Sequence, residues 1–197
     1  TFSIGFEDIE DEAGSEFEYS DQVVEKFNTN HNKYIAKNEE VLPRLIEAVS
    51  NMAEPMVGQD AVAFYLLSEK VSRHVKVVLS GQGADEVFAG YFWYPRMAQE
   101  QGNEVDRFAK HYVDRPHEEF LQTVMPTYHG PNYTNKWLTK EFNKSGADTF
   151  MDKVLRTDIT RLIVDDPVKR VDNMTMAWGL EARVPFMDTD LVEWALK

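Results

Sequence analysis

The sequence predicts an α/β protein, with a parallel sheet and its helices in the first half and a mostly helical second half. Three observations predict it. The β-branched run at residues 75–79 is typical of a strand that a parallel sheet buries on both faces. Apolar side chains at helical spacing precede this run, and a glycine-bearing turn follows it at residues 80–83. After about residue 90 helix-forming residues dominate, and no further strand is predicted.

The first elements are short. Apolar and polar side chains alternate over residues 1–6, which predicts a strand. Residues 7–22 hold eight acidic side chains and are therefore expected to be a solvated loop. A metal-binding loop is disfavoured, because their spacing does not match a calcium-binding loop. A helix is predicted over residues 22–28, and a short extended segment after His31.

Two longer helices are predicted before the central strand. Apolar residues recur at helical spacing over residues 39–52, and Glu54 and Pro55 are expected to end that helix. Asp60 is a plausible N-cap for the second helix, since a carboxylate can accept from the first free amides. The strand at residues 75–79 follows, so the order is helix, strand and turn, as in a parallel α/β layer.

Composition excludes several classes of protein. The 197 residues carry 34 acidic and 21 basic side chains, a formal net charge of −13 at pH 7. We therefore expect no nucleic-acid partner and no anionic-membrane partner, because both kinds of binding depend on positive charge. The sequence has no cysteine, which excludes disulfides, thiolate metal sites and a cysteine nucleophile within these residues. No apolar stretch approaches the roughly 18 residues that span a bilayer, and a cytoplasmic protein is expected.

Both ends of the sequence run through predicted elements, a strand at Thr1 and a helix that reaches Lys197 without a stop signal. We therefore expect these residues to be a piece of a longer protein. Residues 1–95 are predicted to form the α/β part of one domain, and residues 96–197 its helical part. The oligomeric state is not predicted.

The turn after the strand is the most informative segment. Open α/β sheets bind ligands at the carboxyl ends of their strands, and glycines let a turn approach a ligand closely. Free amides in such a turn suit phosphate oxygens, and Asp85 and Glu86 are hard oxygen ligands for Mg²⁺. From the residues alone, an ordinary glycine-containing turn before a helix is an equal alternative. The pattern matches neither of the common glycine-rich phosphate-binding motifs.

Two long motifs resemble one family. Residues 77–91, V-V-L-S-G-Q-G-A-D-E-V-F-A-G-Y, resemble the S-G-x-G-x-D-E motif of the asparagine synthetase family. Residues 172–188, D-N-M-T-M-A-W-G-L-E-A-R-V-P-F-M-D, resemble its M-x-x-x-x-E-A-R-V-P-F-(L/M)-D signature. The resemblance covers nearly the whole chain, although residues 96–160 add little to it. It implies part of a parallel sheet of the ATP-pyrophosphatase type.

The resemblance also implies an activity. The family uses ATP and Mg²⁺ to adenylate a substrate carboxylate, releases pyrophosphate, and passes the acyl group to ammonia derived from glutamine. The implied partners are a glutaminase domain of the same parent chain and a small carboxylate, either aspartate or the dipeptide N-acetylglutaminylglutamine, which a related branch amidates. A non-catalytic nucleotide-fold module is the alternative. The family's S-G-G-x-D-S loop would precede Thr1, so we expect this piece alone to be inactive.

The resemblance assigns nucleotide contacts by position. Ser80, Gly81 and Gly83 would contact ATP and the acyl-adenylate. Ile4 would lie beside adenine with its backbone against the base edge, and Gly5 would allow that close approach.

The remaining roles fall on charged and amide side chains. Asp85 and Glu86 would hold Mg²⁺-pyrophosphate, and Gln82 and Asp85 are the candidate catalytic residues. Gln82 stands where asparagine-forming members often have Glu, and an amide cannot take up a proton as a general base does. Glu181 and Arg183 would orient the substrate or brace the site as an ion pair, with bracing the preferred interpretation.

Overall fold

The described residues, 1–8, 14–54 and 60–196 of a computed structural model, form four short strands and eleven α-helices. The strands are β1 (Phe2–Phe6), β2 (Asn32–Ala36), β3 (Val77–Leu79) and β4 (Glu181–Arg183). The helices are α1 (Phe17–Phe27), α2 (Asn38–Ser50), α3 (Ala61–Ser72), α4 (Ala84–Phe88), α5 (Trp93–Gln99), α6 (Glu104–Tyr112), α7 (His117–Thr123), α8 (Tyr133–Phe142), α9 (Phe150–Thr157), α10 (Lys169–Met176) and α11 (Thr189–Ala195). Two short π-helical segments follow α9, at Asp158–Leu162 and Val164–Val168.

The chain divides into two units, and each is described by itself. The first unit comprises Thr1–Ser80 and Asp165–Pro185, and the second comprises Gly81–Val164 and Phe186–Lys197. The first unit therefore takes residues from both sides of the boundary expected near residue 95. That boundary stays a prediction about the domain of the full-length protein.

All strands belong to the first unit, and both strand pairs are parallel. β1 pairs with β2 in register from Phe2 opposite Asn32, and β3 pairs with β4 from Val77 opposite Glu181. Parallel strands need a crossover connection, and α1 supplies it between β1 and β2. The predicted α/β class with a parallel sheet is confirmed.

The predicted burial of β3 on both faces is wrong. The side chains of Val77 and Leu79, which point to the same face, are 44% and 70% exposed. A strand's own residues show that it is apolar, but coverage depends on which other elements pack against it.

The core of the first unit lies between its helices and strands. The periodic apolar residues of α2 and α3 predict these helices correctly, although α2 ends at Ser50, two residues early. The buried side chains come from β2, α2, α3 and α10: Ala36, Ala48, Ala61, Val62, Tyr65, Leu66 and Met174.

Asp60 does not cap α3 with its side chain. Its backbone is itself helical, and its carboxylate pairs instead with the buried guanidinium of Arg170 at 3.0 Å. Asp166 makes a second pair with Arg170 at 2.6 Å. The capping prediction is wrong because a cation 110 residues later in the sequence competes with the local amides for the same oxygens.

The second unit is helical and has its own core. α9 begins with a capping box, in which Thr149 and Asp152 exchange hydrogen bonds between side chain and backbone. The buried side chains are Tyr94, Met97, Phe108, Leu138, Phe142, Phe150 and Val154. None of the described helices is both long enough and apolar enough to cross a membrane.

Two other predictions need correction. The loop predicted over residues 7–22 is helical from Phe17 onwards. This helix is hard to recognise in the sequence, because only a narrow face formed by Phe17, Ser20 and Val24 points inward among exposed neighbours. β4 is a strand in the half where none was expected; it has only three residues, too few for a periodic pattern. Residues 9–13 of the loop, and Pro55 with the helix stop assigned to it, lie outside the described residues.

Candidate functional site

The segment after β3 is a turn that leads into α4. Ser80 is half-buried, and its amide donates to the carbonyl oxygen of Arg183 at 2.8 Å, which extends the β3–β4 ladder. This amide is therefore engaged and not free for a phosphate oxygen. Ser80 ends the first unit and Gly81 begins the second.

The two glycines of the turn serve different purposes. Gly81 is exposed, and a Cβ atom added there would meet no atom within 4 Å. Gly83 is buried with a φ of +94°, and a Cβ atom there would lie 2.6 Å from Sδ of Met187. Gly83 is therefore required by backbone conformation and by packing, whereas the space beside Gly81 is open to a ligand.

Free amides remain in the turn. Among the described residues, the amides of Gly81 and Gln82 have no hydrogen-bond acceptor, and Gln82 is half-buried. The helix that follows adds little to an anion site, because α4 has only five residues and a helix dipole grows from aligned peptide units. The turn itself, more than the helix, is what a phosphate group would meet.

Asp85 and Glu86 are neighbours in sequence but lie in different surroundings. Asp85 is exposed, and its carboxylate lies close to Gly90. Glu86 is 5% exposed, and its carboxylate accepts a hydrogen bond from the hydroxyl of Tyr91 at 2.9 Å. In the described part of the chain, no group of three or more metal-ligating side chains is arranged to hold an ion. Asp85 alone thus presents a carboxylate to solvent here.

A buried carboxyl group near Glu86 is a feature that the sequence did not reveal. Asp158, at the start of the first π-helical segment, is 1% exposed and accepts from the hydroxyl of Tyr94 at 2.5 Å. Burial raises the pKa of Asp158 to about 6; the Glu86 carboxylate adds to the rise, and the hydroxyls of Tyr94 and Tyr112 oppose it. Asp158 falls in the stretch to which neither motif extends, so no sequence signal marked it.

The tyrosines around these carboxyl groups keep their protons. Burial is the largest cause that raises the pKa of Tyr91, Tyr94 and Tyr112 above the usual value, and the neighbouring carboxylates add to it. Each hydroxyl is therefore a neutral donor at physiological pH. The cluster formed by Glu86, Asp158 and the three tyrosines is called the tyrosine–carboxyl cluster below.

In the first unit, Ile4 and Gly5 lie in β1. Ile4 packs against the core of that unit. Gly5 is buried, and a Cβ atom there would lie 2.6 Å from Cβ of Ser15 and 2.9 Å from Cζ of Phe17. The close approach that Gly5 allows is thus used by the chain's own side chains.

A cavity of about 460 Å³ lies in the first unit. Its walls are mostly apolar and come from the start of β1, from β3 and from α3 and α10, and Ser80 lies at its edge. A cavity of about 540 Å³ in the second unit, among α6, α7 and α8, contains no predicted site residue. Cavity size does not identify the site here, because the one predicted site residue that lines a cavity, Ser80, lines the smaller of the two.

Glu181 and Arg183 form the ion pair that the sequence suggested. They point to the same face of β4, and Nε of Arg183 lies 3.3 Å from Oε1 of Glu181. The two side chains are 56% and 64% exposed. An exposed pair of this kind contributes little to stability.

Comparison with known proteins agrees with the two motifs. All residues of the chain, 1–197, match the family model described as asparagine synthase. Asparagine synthetase (glutamine-hydrolyzing) 1 of Bacillus subtilis is 26% identical over 230 aligned residues, which cover 100% of this chain and 36% of that protein. Asparagine synthetase (glutamine-hydrolyzing) 3 of the same organism is 25% identical, over 88% of this chain and 29% of that protein. The chain thus spans about a third of the length of these relatives.

Proposed function

This chain belongs to the asparagine synthase family, and we propose that the full-length protein is an ATP-dependent ligase that forms an amide. A carboxylate oxygen of the substrate bonds to the α-phosphorus of ATP, and pyrophosphate leaves with the electron pair of the broken P–O bond. Ammonia then bonds to the acyl carbon, AMP leaves, and one proton is lost. The relatives named above are glutamine-hydrolyzing, and a glutaminase domain of the full-length protein would supply the ammonia.

The observation that carries the proposal is the turn between β3 and α4. Gly81 offers open space, and the amides of Gly81 and Gln82 are free donors of the kind that stabilise negative charge on phosphate oxygens. The exposed carboxylate of Asp85 follows within one helical turn. Open space, free donors and a hard oxygen ligand in five consecutive residues suit a nucleotide with its metal.

Mg²⁺ fits the residues present. Proteins usually hold this ion through one or two carboxylates together with the phosphates of the substrate, and Asp85 is such a carboxylate. When bound, Mg²⁺ neutralises charge on the departing pyrophosphate. Asp85 would hold and orient it, while the turn would bind the phosphate oxygens.

The other nucleotide contacts remain proposals of the same kind. The backbone of Ile4 would read the edge of adenine, and Gly5 gives β1 its fit against Ser15 and Phe17. Ser80 would contribute its hydroxyl, since its amide already bonds to Arg183. Gly83 would keep the shape of the turn. The cytoplasmic location expected from the sequence is part of this proposal.

Gln82 bears on the acceptor. A glutamine amide can orient ammonia or the acyl group by hydrogen bonds, but it cannot take up the proton that ammonia must lose. The acceptor that we propose is aspartate or N-acetylglutaminylglutamine. Water or the released phosphate groups would then have to accept the proton.

The test uses the full-length protein with ATP, Mg²⁺ and glutamine, and with either aspartate or the dipeptide. We expect AMP, pyrophosphate and the amide in equal amounts with one of the two acids, and a loss of about 100-fold in rate for Asp85→Asn. Asp114→Asn, which changes an exposed carboxylate away from the turn, is the matched control and should keep the rate. Absence of AMP with both acids would favour a non-catalytic nucleotide-fold module. Full activity of Asp85→Asn would instead contradict the role proposed for Asp85.

A further inference from the structure

The inference concerns Glu86, the second acidic residue of the turn motif. Its carboxylate is buried in the second unit and accepts from the hydroxyl of Tyr91 at 2.9 Å. Asp85, one position earlier on α4, is exposed. Neighbouring helical residues point about 100° apart, so one carboxylate can face the interior while the other faces solvent.

α4 needs an anchor because it is short. A helix of five residues is far below the length at which helices are stable by themselves, so tertiary contacts must hold it. Val87 supplies an apolar contact, being 5% exposed. Apolar contact is not directional, whereas a hydrogen bond to a carboxylate fixes both distance and angle.

The donor to Glu86 is itself held in place. The ring of Tyr91 stacks on Trp93 with centroids 4.1 Å apart and planes inclined by 16°. Tyr91 also contacts Tyr94, whose hydroxyl donates to the buried Asp158. The tyrosine–carboxyl cluster therefore connects α4 to α5 and to the π-helical segment that starts at Asp158.

We propose that Glu86 is a positioning residue, whose buried carboxylate holds α4, and with it Asp85, through the hydroxyl of Tyr91. This role replaces the direct contact with Mg²⁺ that the family resemblance implied for Glu86. The effect on Asp85 rests on the proposed function, whereas the anchoring of α4 does not depend on it.

The first experiment measures anchoring without activity. Amide hydrogen exchange of the full-length protein is followed over residues 84–90, where Val87 donates to Gly83 at 3.0 Å and Gly90 donates to Asp85 at 2.8 Å. We expect exchange about tenfold faster in Glu86→Ala and in Tyr91→Phe, since each loses a hydrogen bond to a charged group. The double variant should be no faster than Glu86→Ala. Glu86→Gln, which keeps an acceptor, should change less, and Glu118→Gln, an exposed control, should not change.

Exchange at the wild-type rate in Glu86→Ala and Tyr91→Phe would overturn the proposal, as would effects that multiply in the double variant. Both results would mean that the two side chains do not act through each other.

The second experiment separates positioning from metal binding. The Mg²⁺ concentration that gives half the maximal rate of AMP formation is measured for the wild type and for Asp85→Asn, Glu86→Gln and Tyr91→Phe. We expect a rise of about tenfold or more in Asp85→Asn and a smaller rise in Tyr91→Phe, which loosens α4 and so displaces Asp85. Glu86→Gln keeps an acceptor for Tyr91 and should change the requirement by less than about twofold. A rise in Glu86→Gln equal to that in Asp85→Asn would make Glu86 a ligand and overturn the proposal. If the wild type forms no AMP, the proposed function fails, and hydrogen exchange alone decides the anchor.

Discussion

The carboxylate of Asp85 lies beside the position that a Cβ atom would occupy at Gly90, and the amide of Gly90 donates to the carbonyl oxygen of Asp85 at 2.8 Å. Asp85 lies in the first turn of α4, and Gly90 lies just after the end of this helix. Gly90 is thus coupled to Asp85 by contact as well as by the backbone. Its lack of a side chain leaves the exposed carboxylate room to take its observed orientation.

Gly90→Ala should therefore displace the carboxylate of Asp85. The backbone of Gly90 is not left-handed, so alanine is compatible with its conformation and the clash with Asp85 is the main effect. We expect the Mg²⁺ requirement of AMP formation to rise in the full-length protein, with a change in unfolding free energy below about 1 kcal/mol. Gly146→Ala is the control, because its Cβ atom would meet open space while its φ of +89° costs about 1 kcal/mol of stability. An unchanged Mg²⁺ requirement in Gly90→Ala would contradict the prediction.

Asp158→Asn should change how stability depends on pH. The pKa of Asp158 rises from 3.8 to about 6 on folding, so the folded chain binds more protons and loses stability as pH rises through this window. Asparagine cannot ionise and avoids this loss. We expect the unfolding free energy of the variant to increase relative to that of the wild type as pH rises from 4 to 6. At pH 7 the accumulated difference should be roughly 1–3 kcal/mol. Unfolding midpoints measured across this range test it, with Asp114→Asn as the exposed control; a pH-independent difference would refute the assignment.

Glu181→Gln and Arg183→Gln should barely alter stability. Both partners of this ion pair are more than half exposed, and such pairs contribute about 0–1 kcal/mol. We expect unfolding midpoints close to the wild type for each single variant. Unchanged midpoints would weigh against the bracing role that the sequence analysis preferred. If either variant of the full-length protein then lost activity, that loss would point to contact with the substrate. A loss of stability well above 1 kcal/mol would instead support bracing.

Arg170→Ala should destabilise the first unit. The guanidinium is buried and pairs with Asp60 and Asp166 at 3.0 and 2.6 Å, connecting the start of α3 to α10. We expect a loss of roughly 1–3 kcal/mol in unfolding free energy, because both ion pairs of the buried cation are removed. The loss is no larger because the two partner carboxylates stay hydrated when the cation is absent. Arg73→Ala, which removes an exposed cation from a helical pair with Glu69, is the control and should cost less. Equal effects in the two variants would contradict the structural role of Arg170.

The turn, three of the four described strands and the helices α2 and α3 were predictable because each is encoded by neighbouring residues. Gly83 illustrates this, since its position between a strand and a helix already indicates a turn that only glycine adopts easily. β4 and the first residues of α1 were missed for the opposite reason: a strand of three residues and a helix with a narrow inward face give no periodic signal.

By itself, the sequence determined the residue types at the turn: two glycines and a pair of acidic residues after a predicted parallel strand. Only the tertiary structure decided that Asp85 faces solvent while Glu86 is buried against Tyr91. It alone brought Asp158 to Tyr94, 64 residues away in the chain. The reason is that residue type fixes what a side chain can do, whereas burial and hydrogen-bond partners depend on segments distant in sequence that folding brings together.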